Sequence, residues 1–329
     1  MKKKKFKRKI RGLLILMFIT SLYLSATTYS WFSVNRIVYI SNLNIKVEAN
    51  GGIEISADAV NWDTTLLEEN IINAKDTYTN NTNQIPFSME PVSTGKNVTN
   101  GKLEMFYGYT ENIESNYLLM AERSIEQQGY GEDSDGKFMA FDLFLKTSTD
   151  TRLYLSNESF VKYEGDNPGV ENSIRFAFLV EGNVSSDTDY KTIQNLNGAT
   201  SSSTYIWEPN YDVHTEGGIK NAKEVYGINV SKSNNKEILY DGLVANITKN
   251  DKILIEDANN KNHPDKFKKV NVDYLTSSNF ENNIEVFSLK SGITKVRVYI
   301  WIEGQDVDCE NNSAVGDVEF NFQFTTNPS

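Results

Sequence analysis

Alternation of apolar and polar residues is the dominant pattern along this chain. In segment 43–49, four apolar side chains share one face: Leu43, Ile45, Val47 and Ala49. A period of two is typical of a β-strand with one buried face. The same pattern, or a short apolar run, predicts further strands at 34–40, 53–56, 103–109, 138–146, 152–155, 174–180, 205–207, 252–256, 284–289, 296–302 and 318–324. We expect 138–146 and 152–155 to form a hairpin, because only a short Ser-Thr-Asp turn separates them.

Helical patterns are few and short. Segments 66–74 and 217–226 have helical spacing, and Thr64 or Thr65 is the expected N-cap of the first. Segment 113–128 fits either a helix or an inserted hairpin. Tyr and Phe, at 17 residues each, favour β-structure, and no Pro/Gly-rich linker divides the chain. The sequence therefore predicts an all-β fold: an elaborated antiparallel β-sandwich, jelly-roll-like, with short helical insertions.

Two segments of the chain resemble each other. IRFAFLVEGN at 174–183 aligns with VRVYIWIEGQ at 296–305, and both place an Arg second and a Glu-Gly pair near the end. One interpretation is that two core strands converged on the same β-pattern. The other is a pseudo-repeat, with equivalent strands in two sheets or two subdomains.

The N-terminus has the composition of a secretory signal peptide. Residues 2–11 hold eight Lys and Arg, and the following 17 residues, 12–28, are uncharged. Small residues stand at Ala26, Thr28 and Ser30. This order predicts a signal peptide over 1–30, cleaved between Ser30 and Trp31, and one exported β-sandwich domain over 31–329 with long loop insertions. The alternative is that the segment is retained as a membrane anchor, which would be the protein's only link to a membrane.

Charge supports an extracellular location. After residue 30 the chain keeps 25 of its 33 basic residues and all 44 acidic residues, a net charge of −19. Such a surface repels phosphates, so we expect no nucleic-acid partner. The single cysteine, Cys309, cannot form an intramolecular disulfide and is interpreted as a small, unreactive thiol in a loop.

The junction itself carries a resemblance. In ATTYSWFS, the residues Ser30, Trp31, Phe32 and Ser33 resemble the point where the mature chain begins in exported proteins processed by SipW-type signal peptidases. That group includes the TasA and camelysin-like matrix proteins of Gram-positive bacteria. Later segments resemble large clostridial-type exported proteins. The resemblance implies a SipW-like signal peptidase as a partner and a secreted, cell-surface or biofilm-matrix location.

Catalytic motifs are not evident in the sequence. His214 and His263 lie outside metal-ligand spacings and are predicted to be surface residues. The chain contains no G-x-S-x-G elbow, P-loop or dinucleotide-binding fingerprint. We therefore expect a protein that is not an enzyme and that needs no cofactor. Calcium is the one ion for which the sequence offers candidate ligands.

Two kinds of ligand site remain as hypotheses. Four acidic residues in two oxygen-rich loops are candidate calcium ligands, namely Asp133, Asp135, Asp306 and Asp308. The alternative interpretation is ordinary turn chemistry. Three aromatic residues are candidate sugar-stacking groups, namely Tyr205, Trp207 and Tyr211.

The functional hypothesis is a structural subunit of the cell surface or extracellular matrix. A filament would form when the N-terminal strand, released by cleavage, pairs with an open sheet edge of a neighbouring copy. The predicted donor strand is 31–40, with its anchors at Trp31, Phe32, Val34, Val38 and Ile40. The alternatives are that this is simply the first strand of its own sheet, and that the protein is a monomeric adhesin or glycan-binding module.

Overall fold

The computed structural model describes residues 38–114, 116–165, 169–231, 239–309 and 315–328. The predicted cleavage site at Ser30 and Trp31, and the donor-strand residues Phe32 and Val34, therefore lie outside the described residues. No helix within these ranges is long and apolar enough to cross a membrane.

The described residues form short strands joined by loops. In chain order they are β1 (Val38–Ala49), β2 (Glu54–Ser56), β3 (Thr65–Leu67), β4 (Gln84–Pro86), β5 (Ser88–Met89), β6 (Val92–Ser93), β7 (Val98–Thr99), β8 (Lys102–Leu103), β9 (Met105–Ile113), β10 (Asn116–Ser124), β11 (Gly129–Gly131), β12 (Met139–Thr147), β13 (Thr151–Leu155), β14 (Phe160–Gly165), β15 (Ile174–Val184), β16 (Thr204–Pro209), β17 (Tyr240–Leu243), β18 (Phe267–Val270), β19 (Tyr274–Thr276), β20 (Ile284–Leu289), β21 (Gly292–Ile302) and β22 (Val315–Thr325). The helices are α1 (Glu68–Asn73), α2 (Tyr190–Gln194) and α3 (Glu216–Tyr226), and 3-10 turns occur at Ala74–Asp76, Val170–Asn172, Ser201–Ser203 and Ile255–Asp257.

Two large sheets pack face to face. The first has seven strands in the order β20-β13-β22-β1-β3, with β14 also on β22 and β5 also on β1. The second has eight strands in the order β11-β4-β12-β21-β15-β16-β19, with β2 also on β12. Buried side chains from both sheets, including Phe141, Phe176, Val298 and Phe322, form one apolar core. The predicted all-β, sandwich-like fold is confirmed; most pairings are antiparallel, and β1/β22, β4/β11 and β16/β19 are parallel.

A third layer covers the outer face of the eight-stranded sheet. It contains the small sheets β10-β9-β6, β17-β18 and β7-β8. Its Met105 and Tyr240 pack against Ala177, Tyr299 and other residues that point away from the sandwich core. Both faces of β15 and β21 are therefore buried, which explains why segments 174–180 and 296–302 are apolar at every position except the arginine.

The two similar segments are neighbours in one sheet. β15 and β21 pair antiparallel, with Phe176 opposite Ile300 and Phe178 opposite Val298. The idea that they occupy two sheets or two subdomains is wrong. Within this pair, Arg175 lies opposite Trp301 near one end, and Arg297 lies opposite Leu179 at the middle of both strands.

Several local expectations were wrong because strand partners lie far apart in sequence. β13 does not form a hairpin with β12; it belongs to the other sheet, where it pairs with β20 and β22. Of the two alternatives for segment 113–128, the inserted hairpin is the one that forms, because β10 pairs antiparallel with β9. The predicted strand at 252–256 contains the start of a 3-10 turn. Helix α3 is confirmed, and the Thr215 side chain caps its first turn by accepting the N–H of Gly218. Helix α1 forms within the predicted segment 66–74, but the expectation that Thr64 or Thr65 is its N-cap is wrong, because Leu67 occupies that position.

Candidate functional site

The first described strand is enclosed by its own sheet. On one side, β1 runs parallel to β22 from Leu43 to Ala49. On the other side it pairs antiparallel with β3 and β5. Val47 and Ala49 are buried, whereas Lys46 and Glu48 on the opposite face are partly exposed, as the alternation predicts. Two of the predicted donor-strand positions therefore lie inside their own sheet, with Val38 opposite Met89 and Ile40 opposite Gly316.

A glycine turn connects β1 to the rest of the domain. Gly51 and Gly52 have positive φ angles of 78° and 85°, which residues with a Cβ rarely adopt. The turn is held to the last strand and its exit, because Asn50 N–H donates to Phe324 O at 2.9 Å and Thr326 Oγ1 donates to Gly51 O at 2.9 Å. Within the described residues, this turn is the single covalent link between β1 and the domain.

A buried ionic group, here called the Arg175 cluster, lies at one end of the β15/β21 pair. It comprises Arg175, Glu208 and Asp306. The fully buried Arg175 places Nη2 2.8 Å from Glu208 Oε1 and in contact with Asp306 Oδ2. Its Nη1 donates to the carbonyl oxygens of Asn172 and Ile174. Asp306, a candidate calcium ligand, is therefore the counter-ion of an arginine.

His214 and Asp308 form a second buried pair beside this cluster. His214 Nδ1 lies 2.8 Å from Asp308 Oδ2, and Asp308 Oδ1 accepts the N–H of Thr215 at 2.8 Å. Burial alone would lower the pKa of His214, but the hydrogen bond and charge of Asp308 outweigh burial and raise it above its ordinary value. The prediction that His214 is a surface residue is wrong, and the Asp308 carboxylate is engaged by His214 and the start of α3.

A second ionic cluster, here called the Arg297 cluster, lies at the middle of the β15/β21 pair and comprises Arg297, Asp142, Glu126 and Lys295. Arg297 bonds to Asp142 and to Glu126 at 2.6 Å each, and Lys295 Nζ is 3.1 Å from Asp142. Tyr78 O–H also donates to Asp142 at 2.8 Å. Burial tends to raise the pKa of Asp142, but the neighbouring cations bring it down to about 2.

Two buried glutamates occupy equivalent positions in the similar segments, Glu181 near the end of β15 and Glu303 directly after β21. Burial raises the pKa of Glu181 and of Glu303 to about 7 in each case. Glu181 Oε2 accepts the N–H of Ala199 at 3.0 Å, and Glu303 Oε2 accepts the indole N–H of Trp301 at 3.0 Å. Each carboxyl group therefore changes its protonation state near neutral pH, so the stability of the fold depends on pH in that range.

Sequence reasoning missed both ionic clusters, although a signal was present. An arginine in the second position of an otherwise apolar strand occurs in both similar segments. Such a charge on a buried strand requires a counter-ion. The partners could not be identified from sequence, because Asp142 and Glu126 lie 155 and 171 residues from Arg297.

The predicted sugar-stacking face does not form. Trp207 is fully buried, its ring centroid lies 4.6 Å from that of Phe176, and its indole N–H donates to Thr276 Oγ1 at 2.9 Å. Tyr205 stacks on Phe287 with 5.5 Å between ring centroids. Tyr211 is half-buried after the end of β16. Trp207 is therefore a core residue, and its prediction as a ligand group is wrong.

The other predicted residues occupy ordinary positions. Asp133 and Asp135 are exposed in the loop before β12, and His263 is half-buried. Cys309 is buried. Among the residues that the structure describes, no group of three or more His, Cys, Asp or Glu is placed to hold a metal ion.

Comparison with known proteins does not assign this chain to a family. No protein-family model, no curated protein and no solved structure matches this chain. The function is therefore argued from the sequence and the geometry alone.

Proposed function

We propose that the protein is an exported, non-enzymatic structural subunit of the cell surface or extracellular matrix, which assembles into filaments by exchanging its N-terminal strand. The SipW-like junction at residues 30–33 and the net charge of −19 after residue 30 support export. The enclosed position of β1 supports exchange.

The supporting observation is that β1 fills a groove between two sets of strands. Withdrawing β1 would expose the edge of β22 on one side and the edges of β3 and β5 on the other. Unpaired strand edges readily accept another strand. Because the first and last strands are parallel neighbours, an incoming β1 from a second copy could make the same hydrogen bonds and bury the same residues, Val47 and Ala49.

Exchange needs one hinge, and the turn at 50–52 has the required freedom. If the two glycines extend, β1 of one copy can reach the groove of the next while its contacts are conserved. Repetition of this heterologous contact gives an open filament rather than a closed dimer. An uncleaved N-terminal segment would tether β1 at the membrane, so processing by the signal peptidase would permit assembly. In this proposal the exchanged strand extends to Ala49, beyond the 31–40 segment expected from sequence.

Disulfide trapping tests the exchange directly. Lys46 and Leu67 are antiparallel partners on β1 and β3, and both are accessible to an oxidant. In a Cys309→Ser background, K46C with L67C would be assembled, oxidised, denatured without reductant and separated by size. We expect a ladder of covalent multimers, because each crosslink would join two copies.

A matched control uses two strands that would not exchange. Arg152 and Ser288 are exposed antiparallel partners on β13 and β20. R152C with S288C should give crosslinked monomers only. Filaments whose K46C/L67C crosslinks are all within one chain would refute strand exchange. The absence of filaments by electron microscopy after removal of residues 1–30 would refute the filament function itself.

A further inference from the structure

A polar cleft lies at the base of the β9–β10 hairpin, beside the loop that precedes β12. Its volume is about 190 Å³. One wall comes from the hairpin and the residues that follow it, including Tyr107, Glu122 and Arg123, and the facing wall includes Asp135 and Lys137. At about 30 Å³ of liquid per water molecule, the cleft has room for about six waters. That space suits one small ring rather than a drug-sized ligand.

The charges that line the cleft balance. Glu122 and Asp135 oppose Arg123 and Lys137, which leaves no net charge to select an anion or a cation. Arg123 Nη2 is already 3.1 Å from Glu104 Oε1, and Lys137 is paired with Glu90. These pairs hold Arg123 and Lys137 in place, and the lining residues supply both hydrogen-bond donors and acceptors. Such a lining can donate to and accept from hydroxyl groups.

Apolar surface accompanies the polar groups. Ile125 lines the cleft and is 71% exposed, more than any other large hydrophobic residue in the described part of the chain. Tyr107 also lines the cleft, but its ring is held between Lys137 Nζ, 3.9 Å from the ring centroid, and Tyr109, whose centroid is 6.0 Å away. A ligand with C–H groups on one face and hydroxyl groups around its edge would use both kinds of surface.

We propose that this cleft binds a neutral pyranose unit of a polysaccharide. The charged and amide side chains would hydrogen-bond its hydroxyl groups, and Ile125 would cover its apolar face. The partly exposed Tyr109, next along the hairpin, would contact the adjoining sugar of the chain. The cleft is separate from β1, so binding does not depend on strand exchange, and it is a different location from the Tyr205–Tyr211 segment considered from the sequence.

The test is binding of the wild-type protein to an array of neutral hexose and N-acetylhexosamine oligosaccharides, followed by calorimetry on any ligand found. Asp135→Ala removes an exposed carboxylate that lines the cleft. Asp133→Ala, two residues away in the same loop and outside the lining, is the matched control. We expect a loss of at least tenfold in affinity from D135A and less than twofold from D133A.

Tyr109→Ala provides a second measurement, and Tyr117→Ala is its control on the same hairpin. Y109A should weaken binding to a tetrasaccharide more than to a monosaccharide, because it removes only the adjoining contact. Failure of every oligosaccharide on the array to bind would overturn the proposal. Equal effects of D135A and D133A would overturn it as well, as would binding that disappears in 0.5 M salt, since the cleft has no net charge. Circular dichroism of each variant would establish that it is folded.

Discussion

The pH dependence of stability can be predicted from Glu181, a 4% exposed carboxyl at the end of β15. Burial raises its pKa from 4.5 to about 7, so the folded protein binds this proton more tightly than the unfolded chain does. The stability associated with the proton is fully present below pH 4.5 and is lost as the pH rises to about 7. Glu181→Gln replaces the protonated carboxyl by a neutral amide whose oxygen can still accept the Ala199 N–H.

The magnitude follows from the size of the pKa shift. At about 1.4 kcal/mol per pKa unit, a rise from 4.5 to 7 corresponds to about 3 kcal/mol. Screening by nearby water reduces this, so we take about 2 kcal/mol. E181Q should therefore be about 2 kcal/mol more stable than wild type at pH 8 and nearly equal to it at pH 4.5. For a domain of this size the difference at pH 8 corresponds to roughly 4 °C in Tm.

Thermal or urea unfolding at half-unit steps from pH 4.5 to 8.5 measures this difference. Glu111→Gln, at an exposed position on the hairpin, controls for the general loss of one negative charge. A difference between E181Q and wild type that stays constant across this range would refute the reasoning, because it would show that the proton on Glu181 is not linked to folding.

The remaining predictions concern the buried ionic groups. Arg297→Met should destabilise the fold by about 3–5 kcal/mol in urea unfolding, because it leaves the Asp142 carboxylate buried without its main counter-ion. The exposed Arg152→Met should leave the urea midpoint nearly unchanged, and an equal effect of the two substitutions would contradict the argument. NMR titration of His214 should give a pKa above 6.5, so the stability from its ion pair is present below pH 6.5 and is lost as the pH rises through that higher pKa. Asp308→Asn should lower the pKa of His214. An unchanged pKa would show that Asp308 does not stabilise the protonated imidazole.

The individual strands and one helix could be predicted from local sequence. Segments 174–180 and 296–302 are short runs that are apolar except for one arginine each, and one face of each packs in the sandwich core. Helix α3 begins after Thr215 and ends before Gly227, as its local spacing and capping residues indicate. Such features depend on neighbours a few residues apart, so they can be read without knowledge of the fold.

Pairing between distant segments could not be predicted in the same way. Alternation indicates which face of a strand is buried but not which strand lies beside it. The predicted hairpin of β12 and β13 is therefore wrong, and β13 pairs with β20 and β22. Alternation also does not reveal a third layer, which buries the second face of β15 and β21. The choice of partner is made by the summed burial of many residues that are distant in sequence.

The same difference between local patterns and long-range contacts applies to the candidate sites. The sequence by itself determined the basic and then apolar character of residues 2–28, the excess of acidic residues after residue 30 and the apolar faces of the strands, because each is a property of composition or short spacing. Only the tertiary structure decided that Trp207 is in the core, that Asp306 neutralises Arg175, and that His214 meets Asp308, 94 residues away. A side chain's exposure and charge partners exist only once the sheets have packed, since burial is a property of the assembled fold.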